Sequence, residues 1–233
     1  VVLPAAFTLN AFREVCRSKR DCRSPAPADR WNARIACAAD RRGRPPITNS
    51  LGGFLREYSY DWKRHKIPPR QLKTANLLQF MLLDAADQAF DEASRDRNGS
   101  AFDGRRTGVV IGSIFGGDFS QQLHVGLRLP ELRRALFNAV QTACDLDENH
   151  VRRMWEEFEE RLIVDMPALI DETGSFTSST LASRLTKTFN LMGGAWAVDA
   201  GDCSSSAALS LGVELLLTGR NTSVLCAGAQ RAM

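Results

Sequence analysis

Residues 194–227 dictate more of the architecture than any other stretch. An apolar run, Gly194 to Val198, leads into a tight polar turn and then Cys203. A helical pattern follows from Ser204 to Leu217, then Gly219, then a short strand from Ser223 to Ala227. This order places a thiol at a strand-to-helix junction, at or next to a helix N-terminus. Unpaired backbone N–H groups and the helix dipole favour negative charge there. A thiolate is the reactive form, and such placement can lower a cysteine pKa below its free value of ~8.5. Buried structural cysteines are also common in apolar chains. Geometry alone leaves both roles open for Cys203.

Upstream, helical and strand signals alternate around one helical insertion. Phe7 to Val15 reads as a helix, and residues 42–49 as a polar, Pro/Gly-rich surface connection. Between Gln71 and Ala93, Leu72, Leu78, Met81, Leu82, Ala85, Ala86 and Phe90 fit one helix buried along one face. Asn98 to Gly104 is a turn, and Thr107 to Ile111 a near-continuous apolar strand of the kind covered on both sides. Phe115 to Phe119 is a loop given freedom by Gly116-Gly117. From Pro130 to Leu169 two helices are expected. Pro130 suits the first turn of one. Asp145-Leu146-Asp147-Glu148 opens the other, and Trp155, Phe158 and Leu162 follow at helical spacing. The flanking Glu156, Glu157, Glu159 and Glu160 read as a solvated face, not catalytic carboxylates.

Composition excludes more than it proposes. A chain of 233 residues, 44% hydrophobic, can build one sizeable core. A net charge of +3 is too small to argue for nucleic acid, and Arg41-Arg42-Gly43-Arg44 before Pro45-Pro46 reads as a solvated loop. There is no signal-peptide pattern and no apolar run near the ~18 residues of a membrane span, so a cytoplasmic protein without membrane contact is expected. Six irregularly spaced cysteines suggest no disulfide framework, and Cys16 and Cys22 lack partners at zinc spacing. Gly112-Ser113-Ile114-Phe115-Gly116-Gly117 lacks the Lys-Ser/Thr ending of a phosphate loop.

The stretch Val198-Asp199-Ala200-Gly201-Asp202-Cys203-Ser204-Ser205-Ser206 resembles the nucleophile segment of β-ketoacyl synthases, the condensing domains of polyketide and fatty acid synthases. That family has a Val-Asp-Thr-Ala-Cys-Ser-Ser-Ser-like motif closing a strand and opening a buried helix. Gly201-Asp202 stands where the family has Thr-Ala, and an Asp facing the sulfur would oppose thiolate formation. Similar correspondences cover nearly the whole chain. They include Val2-Leu3-Pro4 with Phe12, Asp29-Arg30-Trp31, Gly52-Gly53-Phe54-Leu55, Asp61-Trp62, and Thr107 to Gly112. Thr180 to Leu185 and Phe189 to Gly194 complete the set. Leu78 to Asp87 and Asp171 to Ser179 look closer to iterative synthases of the enediyne and polyunsaturated-fatty-acid types.

The resemblance implies a thiolase-like α/β fold, layered α-β-α-β-α around mostly parallel mixed sheets. Residues 1–233 would form the N-terminal half of a ketosynthase domain, with a helical insert at about 121–170 and the nucleophile strand-helix at 194–218. Cys203 would be the catalytic nucleophile, and its own N–H one half of the oxyanion hole. Ser204 to Ser206 would cap the helix. No bound cofactor or metal is implied, since substrates arrive on the phosphopantetheine of an acyl carrier protein. The implied enzyme is an acyltransferase, a β-ketoacyl-[acyl-carrier-protein] synthase, working as a homodimer with that carrier. The family's catalytic histidines and lysine lie downstream of the nucleophile helix, whereas His65, His124 and His150 precede Cys203 and match no catalytic motif. Each is read as a surface or satisfied histidine.

An isolated half would expose Ala207, Leu209, Leu211 and Leu215 to water. At ~25 cal/mol per Å² this forfeits several kcal/mol. The chain is therefore expected to be completed by the rest of a ketosynthase domain, in a longer polypeptide or a second chain. Two other functions remain open: a non-catalytic ketosynthase-like partner subunit of the chain-length-factor type, and another thiolase-superfamily acyltransferase. The presence of Cys203 argues against the partner subunit, while the serine run favours the elongating type.

Overall fold

The structure, a computed structural model, describes residues 1–28, 49–96, 102–114, 120–143, 147–170 and 176–230. Asp29-Arg30-Trp31, the Arg41–Arg44 cluster with Pro45-Pro46, Asn98-Gly99-Ser100, Phe115–Phe119, Asp145-Leu146 and Asp171–Ser175 lie outside the described residues.

Strand β3, Thr107–Gly112, organises the molecule, and all six of its residues are buried. It is flanked in parallel by β4, Ala195–Val198, on one side and β5, Ser223–Gly228, on the other. Gly112 pairs with both Val198 and Gly228, so the three strands end together at one edge of the sheet. Side chains alternate across a strand, so β3 feeds two cores. Val109 and Ile111 pack with Phe80, Met81, Leu82 and Leu83 of α3 (Leu77–Asp96) and with Leu181, Ala182 and Leu185 of α6 (Ser178–Phe189). Val110 faces the opposite way, against Ala208 and Leu215 of α7 (Ser204–Leu217). The strand predicted at Thr107–Ile111 and the strand-helix-strand at 194–227 are both present, each within a residue of its expected ends.

Helix α1, Leu9–Ser18, begins two residues later than its pattern suggests, because Thr8 Oγ1 accepts the Ala11 N–H at 3.2 Å and fixes the start. The single helix expected over 71–93 is two, α2 (Pro69–Thr74) and α3. Ala75 is extended (φ −96°, ψ 155°) and Asn76 Oδ1 accepts the Leu78 N–H at 3.0 Å, so a side-chain cap restarts the helix. A short antiparallel pair, β1 (Ser24–Pro25) with β2 (Leu51–Gly52), went unforeseen; two residues carry no periodicity.

Residues 121–170 contain the two expected helices, α4 (Gln121–Ala143) and α5 (Glu148–Asp165), but Pro130 lies inside α4, not at its start. Proline costs one backbone bond without ending a helix whose flanking turns are held elsewhere. Here Gln122 Oε1 accepts the Ala168 N–H at 2.8 Å, tying the first turn of α4 to the segment after α5. Asp147 caps α5 through the Asn149 N–H at 3.3 Å. Val151 and Trp155 are buried, while Glu156, Glu157 and Glu160 are exposed as a solvated face. No helix among the described residues is long and apolar enough to cross a membrane.

Helix α7 corrects one expectation. Leu215 is buried, along with Ala208 and Gly212, on the side facing β3 and β5. The outward side carries Leu209, Val213, Leu216 and Leu217, at 60%, 53%, 44% and 78% exposure. Spacings of three and four run along each of these two stripes, and the expected set of Ala207, Leu209, Leu211 and Leu215 mixed them.

Candidate active site

The sequence of Val198 to Ser206 folds as a strand end, a tight turn and a helix start. Asp199 Oδ1 accepts the Gly201 N–H at 3.0 Å, an Asx-type turn that pulls the chain back after β4. Gly201 occupies the left-handed region at φ +57°, with open space where a Cβ would stand. Three residues, Ala200, Gly201 and Asp202, separate Asp199 from Cys203. The Val-Asp-Thr-Ala-Cys pattern has two, so the turn absorbs one more than a Thr-Ala pair would supply.

Cys203 is the N-cap residue of α7, with φ −93° and ψ 6°, and is exposed and free of any disulfide. Its carbonyl accepts the first helical bond, from the Ala207 N–H at 2.9 Å. Asp202, just before it, is exposed. Two expectations need correction here. The Cys203 N–H donates to the Ala200 carbonyl at 3.2 Å, so it closes the turn instead of standing open as an oxyanion donor. The serines do not cap the helix either. The N-cap Cys203 makes no side-chain cap bond, and Ser204 reaches backward: its Oγ donates to the Gly201 carbonyl at 2.6 Å and accepts the Ala200 N–H at 3.0 Å. A hydroxyl satisfies both groups at once, which a cap bond alone would not.

Sequence reading also missed what brings α7 so close to the sheet. Gly112, at the end of β3, lies against the Ser204 carbonyl, and a Cβ there would overlap it. Gly228, at the end of β5, lies against the Ser205 side chain in the same way. Both glycines end apolar strands whose register aligns them, and that alignment was the available signal. The thiol therefore sits above the carboxyl ends of three parallel strands, where open α/β sheets place their ligand crevices.

The three histidines stay apart from this turn. The His65 side chain is buried, its ring nitrogens bonded to the Tyr60 hydroxyl and to Asp87 Oδ2, each at 2.7 Å. Arg64 Nε shares that carboxylate oxygen at 2.7 Å. Burial pushes the Tyr60 hydroxyl above its usual range, as it does for Tyr58, which donates to Asp84 Oδ2 at 2.6 Å. His65 is thus a satisfied histidine, one of the two roles expected of it. His150 is exposed beside Asp147 at 3.6 Å, and His124 is exposed on α4. Among the described residues, no histidine hydrogen-bonds to Cys203.

A parallel sheet with an exposed cysteine over its carboxyl edge, at the head of a helix packed on that sheet along one side, fits a thiolase-like fold, and likeness to known proteins points the same way. The family described as Beta-ketoacyl synthase, N-terminal domain, matches residues 1–233, and the chain belongs to that family. It is 24% identical over 219 residues to one subunit of the polyunsaturated fatty acid synthase of a Thraustochytrium species, covering 94% of this chain and 7% of that protein. A non-reducing polyketide synthase from a Nectria species is 29% identical over 111 residues, covering 47% of this chain and 6% of that one. Among solved structures, the ketosynthase from module 6 of the Bacillus subtilis 168 bacillaene synthase superposes with a TM-score of 0.62 at 14% identity. An oxazolomycin ketosynthase domain from Streptomyces albus JA3453 gives 0.60 at 19%. These cover 97% and 94% of this chain and 30% and 31% of theirs. The chain therefore spans a small part of each relative.

Proposed function

We propose that this chain is the nucleophile-bearing half of a condensing domain that elongates polyketide or fatty acyl chains. The observation that carries the reading is Cys203, an exposed thiol at the N-cap of α7 above the carboxyl edge of the sheet, in a chain of the β-ketoacyl synthase family. Its thiolate attacks the carbonyl of an acyl thioester presented on the phosphopantetheine arm of an acyl carrier protein. The carbon–sulfur bond to Cys203 forms, the bond to the arm breaks, and the arm leaves as a thiol after taking a proton. One hard step becomes two. A malonyl-type extender then loses CO₂, and its carbanion attacks the acyl-Cys203, releasing the cysteine. Donors from the remainder of the domain assist decarboxylation, and the domain works as a homodimer without a bound cofactor.

A second reading, a non-catalytic ketosynthase-like partner subunit, is favoured by one observation. The Cys203 N–H is bonded to Ala200 and so engaged away from a substrate oxyanion. Incubating the full chain with an acyl-pantetheine thioester, then mapping peptides by mass, separates the two. An acyl mass on the Cys203 peptide, absent in Cys203→Ala at unchanged melting temperature, supports condensation. No adduct in a folded chain, or an unchanged adduct in Cys203→Ala, removes it.

A further inference from the structure

We propose that Ser204 is the positioning residue of the nucleophile turn: its buried hydroxyl latches the Ala200–Gly201 backbone and thereby fixes where the Cys203 sulfur stands. The inference rests on the reading of Cys203 as nucleophile and adds a residue that holds it. The other bonds of the turn, from the Gly201 N–H to Asp199 Oδ1 and from the Cys203 N–H to the Ala200 carbonyl, lie among exposed residues. Gly201 is exposed, has no neighbour within reach of a Cβ and adopts φ +57°; Asp202 and Cys203 are exposed as well. Ser204 alone among residues 199–206 is buried, at 5% exposure. Its hydroxyl spends both capacities on the turn, donating to Gly201 O at 2.6 Å and accepting from Ala200 N at 3.0 Å. Its own N–H donates to the same Gly201 carbonyl at 3.1 Å. The Ser204 carbonyl, in turn, rests against Gly112 of β3, where no side chain intervenes.

Sheet, serine and turn therefore form one rigid path ending at the thiol. The extra turn residue makes that path necessary. A longer, glycine-containing turn has more backbone freedom than a two-residue link, and two part-buried hydrogen bonds restrict it. Ser205 and Ser206 are exposed, and no hydrogen bond from either joins the turn among the described residues. The three serines look equivalent in sequence; the structure assigns the positioning role to the first.

The test uses the full chain and two readouts on the Cys203 peptide: acylation by an acyl-pantetheine thioester over a range of concentrations, and alkylation by iodoacetamide. Ser204→Ala is expected to lower the saturating acylation rate roughly ten- to hundredfold, with little change in the half-saturating concentration. Alkylation should fall severalfold. Ser204→Thr, which keeps the hydroxyl, should recover most of both, and Ser206→Ala should change neither. Wild-type rates in a folded Ser204→Ala, or a folded Ser204→Thr as slow as Ser204→Ala, would overturn the proposal. If Ser204→Ala does not fold, Gly201→Ala strains the same turn in open space, and wild-type rates there overturn it equally. A wild-type chain that takes no acyl group sinks the condensing function, while the alkylation comparison still decides the role of Ser204.

Discussion

The sheet with its three covering helices and the helical pair α4–α5 use apolar residues in opposite ways. Around β3, Phe80, Leu83, Val109, Val110, Ile111, Leu185 and Ala208 are all at 1% exposure or below. In α4 and α5, only Val151 and Trp155 are comparably buried among the large apolar residues, while Leu123, Leu127, Leu132, Leu136, Met154, Phe158 and Val164 stand exposed. The main contacts of this pair are internal, between α4, α5 and the Pro167–Ile170 turn. Helices that bury so little must lean on local devices such as the Asp147 cap and the Trp155–Glu159 hydrogen bond at 3.0 Å. One region is a core that carries a turn; the other is an attachment that can change independently.

That contrast can be broken by removing one anchor from each side. Phe80→Ala should cost about 3–5 kcal/mol and abolish the main melting transition at physiological temperature, with Cys203 chemistry lost alongside it. Retained Cys203 reactivity in a chain whose core has melted would show that the site does not depend on the sheet. Trp155→Ala removes an equally large buried group, yet its effect should stay within α4 and α5. Helical circular dichroism should fall while the main transition moves by no more than a few degrees and Cys203 alkylation is unchanged. A coupled loss of both would merge the two regions into one cooperative unit.

The gentlest probe is pH. Cys226 is half-buried on β5, its Sγ donating to the Ala208 carbonyl at 3.5 Å, and burial pushes its thiol pKa up. A thiol whose folded pKa lies above its unfolded value favours the folded state while protonated. That contribution is complete below the unfolded pKa of ~8.5 and fades as pH rises through the folded value. Alkylation of the Cys226 peptide should therefore set in at higher pH in the folded chain than after unfolding in urea. Coincident profiles would show that this face of the sheet is more open than the fold describes.

Much of this was legible from residue order, for reasons that differ by element. A strand buried on both faces announces itself as an unbroken apolar run, which is why Thr107–Ile111 could be placed; the half-exposed strands around Cys203 were placed instead by the polar turn and the glycine that bound the helix between them. The break at Ala75–Asn76 could not, because the apolar spacing continues through it and only a side-chain hydrogen bond divides the helix. Pro130 misled for a similar reason: proline suits a first turn, and nothing local reveals that Gln122 anchors eight residues earlier. At the site, the identity of Cys203 came from its motif, while the division of labour among the serines came from direction. Ser204 turns back to the strand, a choice set by how closely Gly112 and Gly228 let the helix approach.

The strand order also sets a timetable for synthesis. Both neighbours of β3, β4 and β5, leave the ribosome after the whole insert and α6 have been made. At roughly 5–20 residues per second, β3 waits on the order of ten seconds with an apolar, unpaired edge on either side. The insert, built from local contacts, can form during that pause, whereas the turn that presents the thiol must come late. Cys203 itself leaves the ribosome after β4 and before β5, so the turn around it takes its final place only when the last strand has closed the sheet.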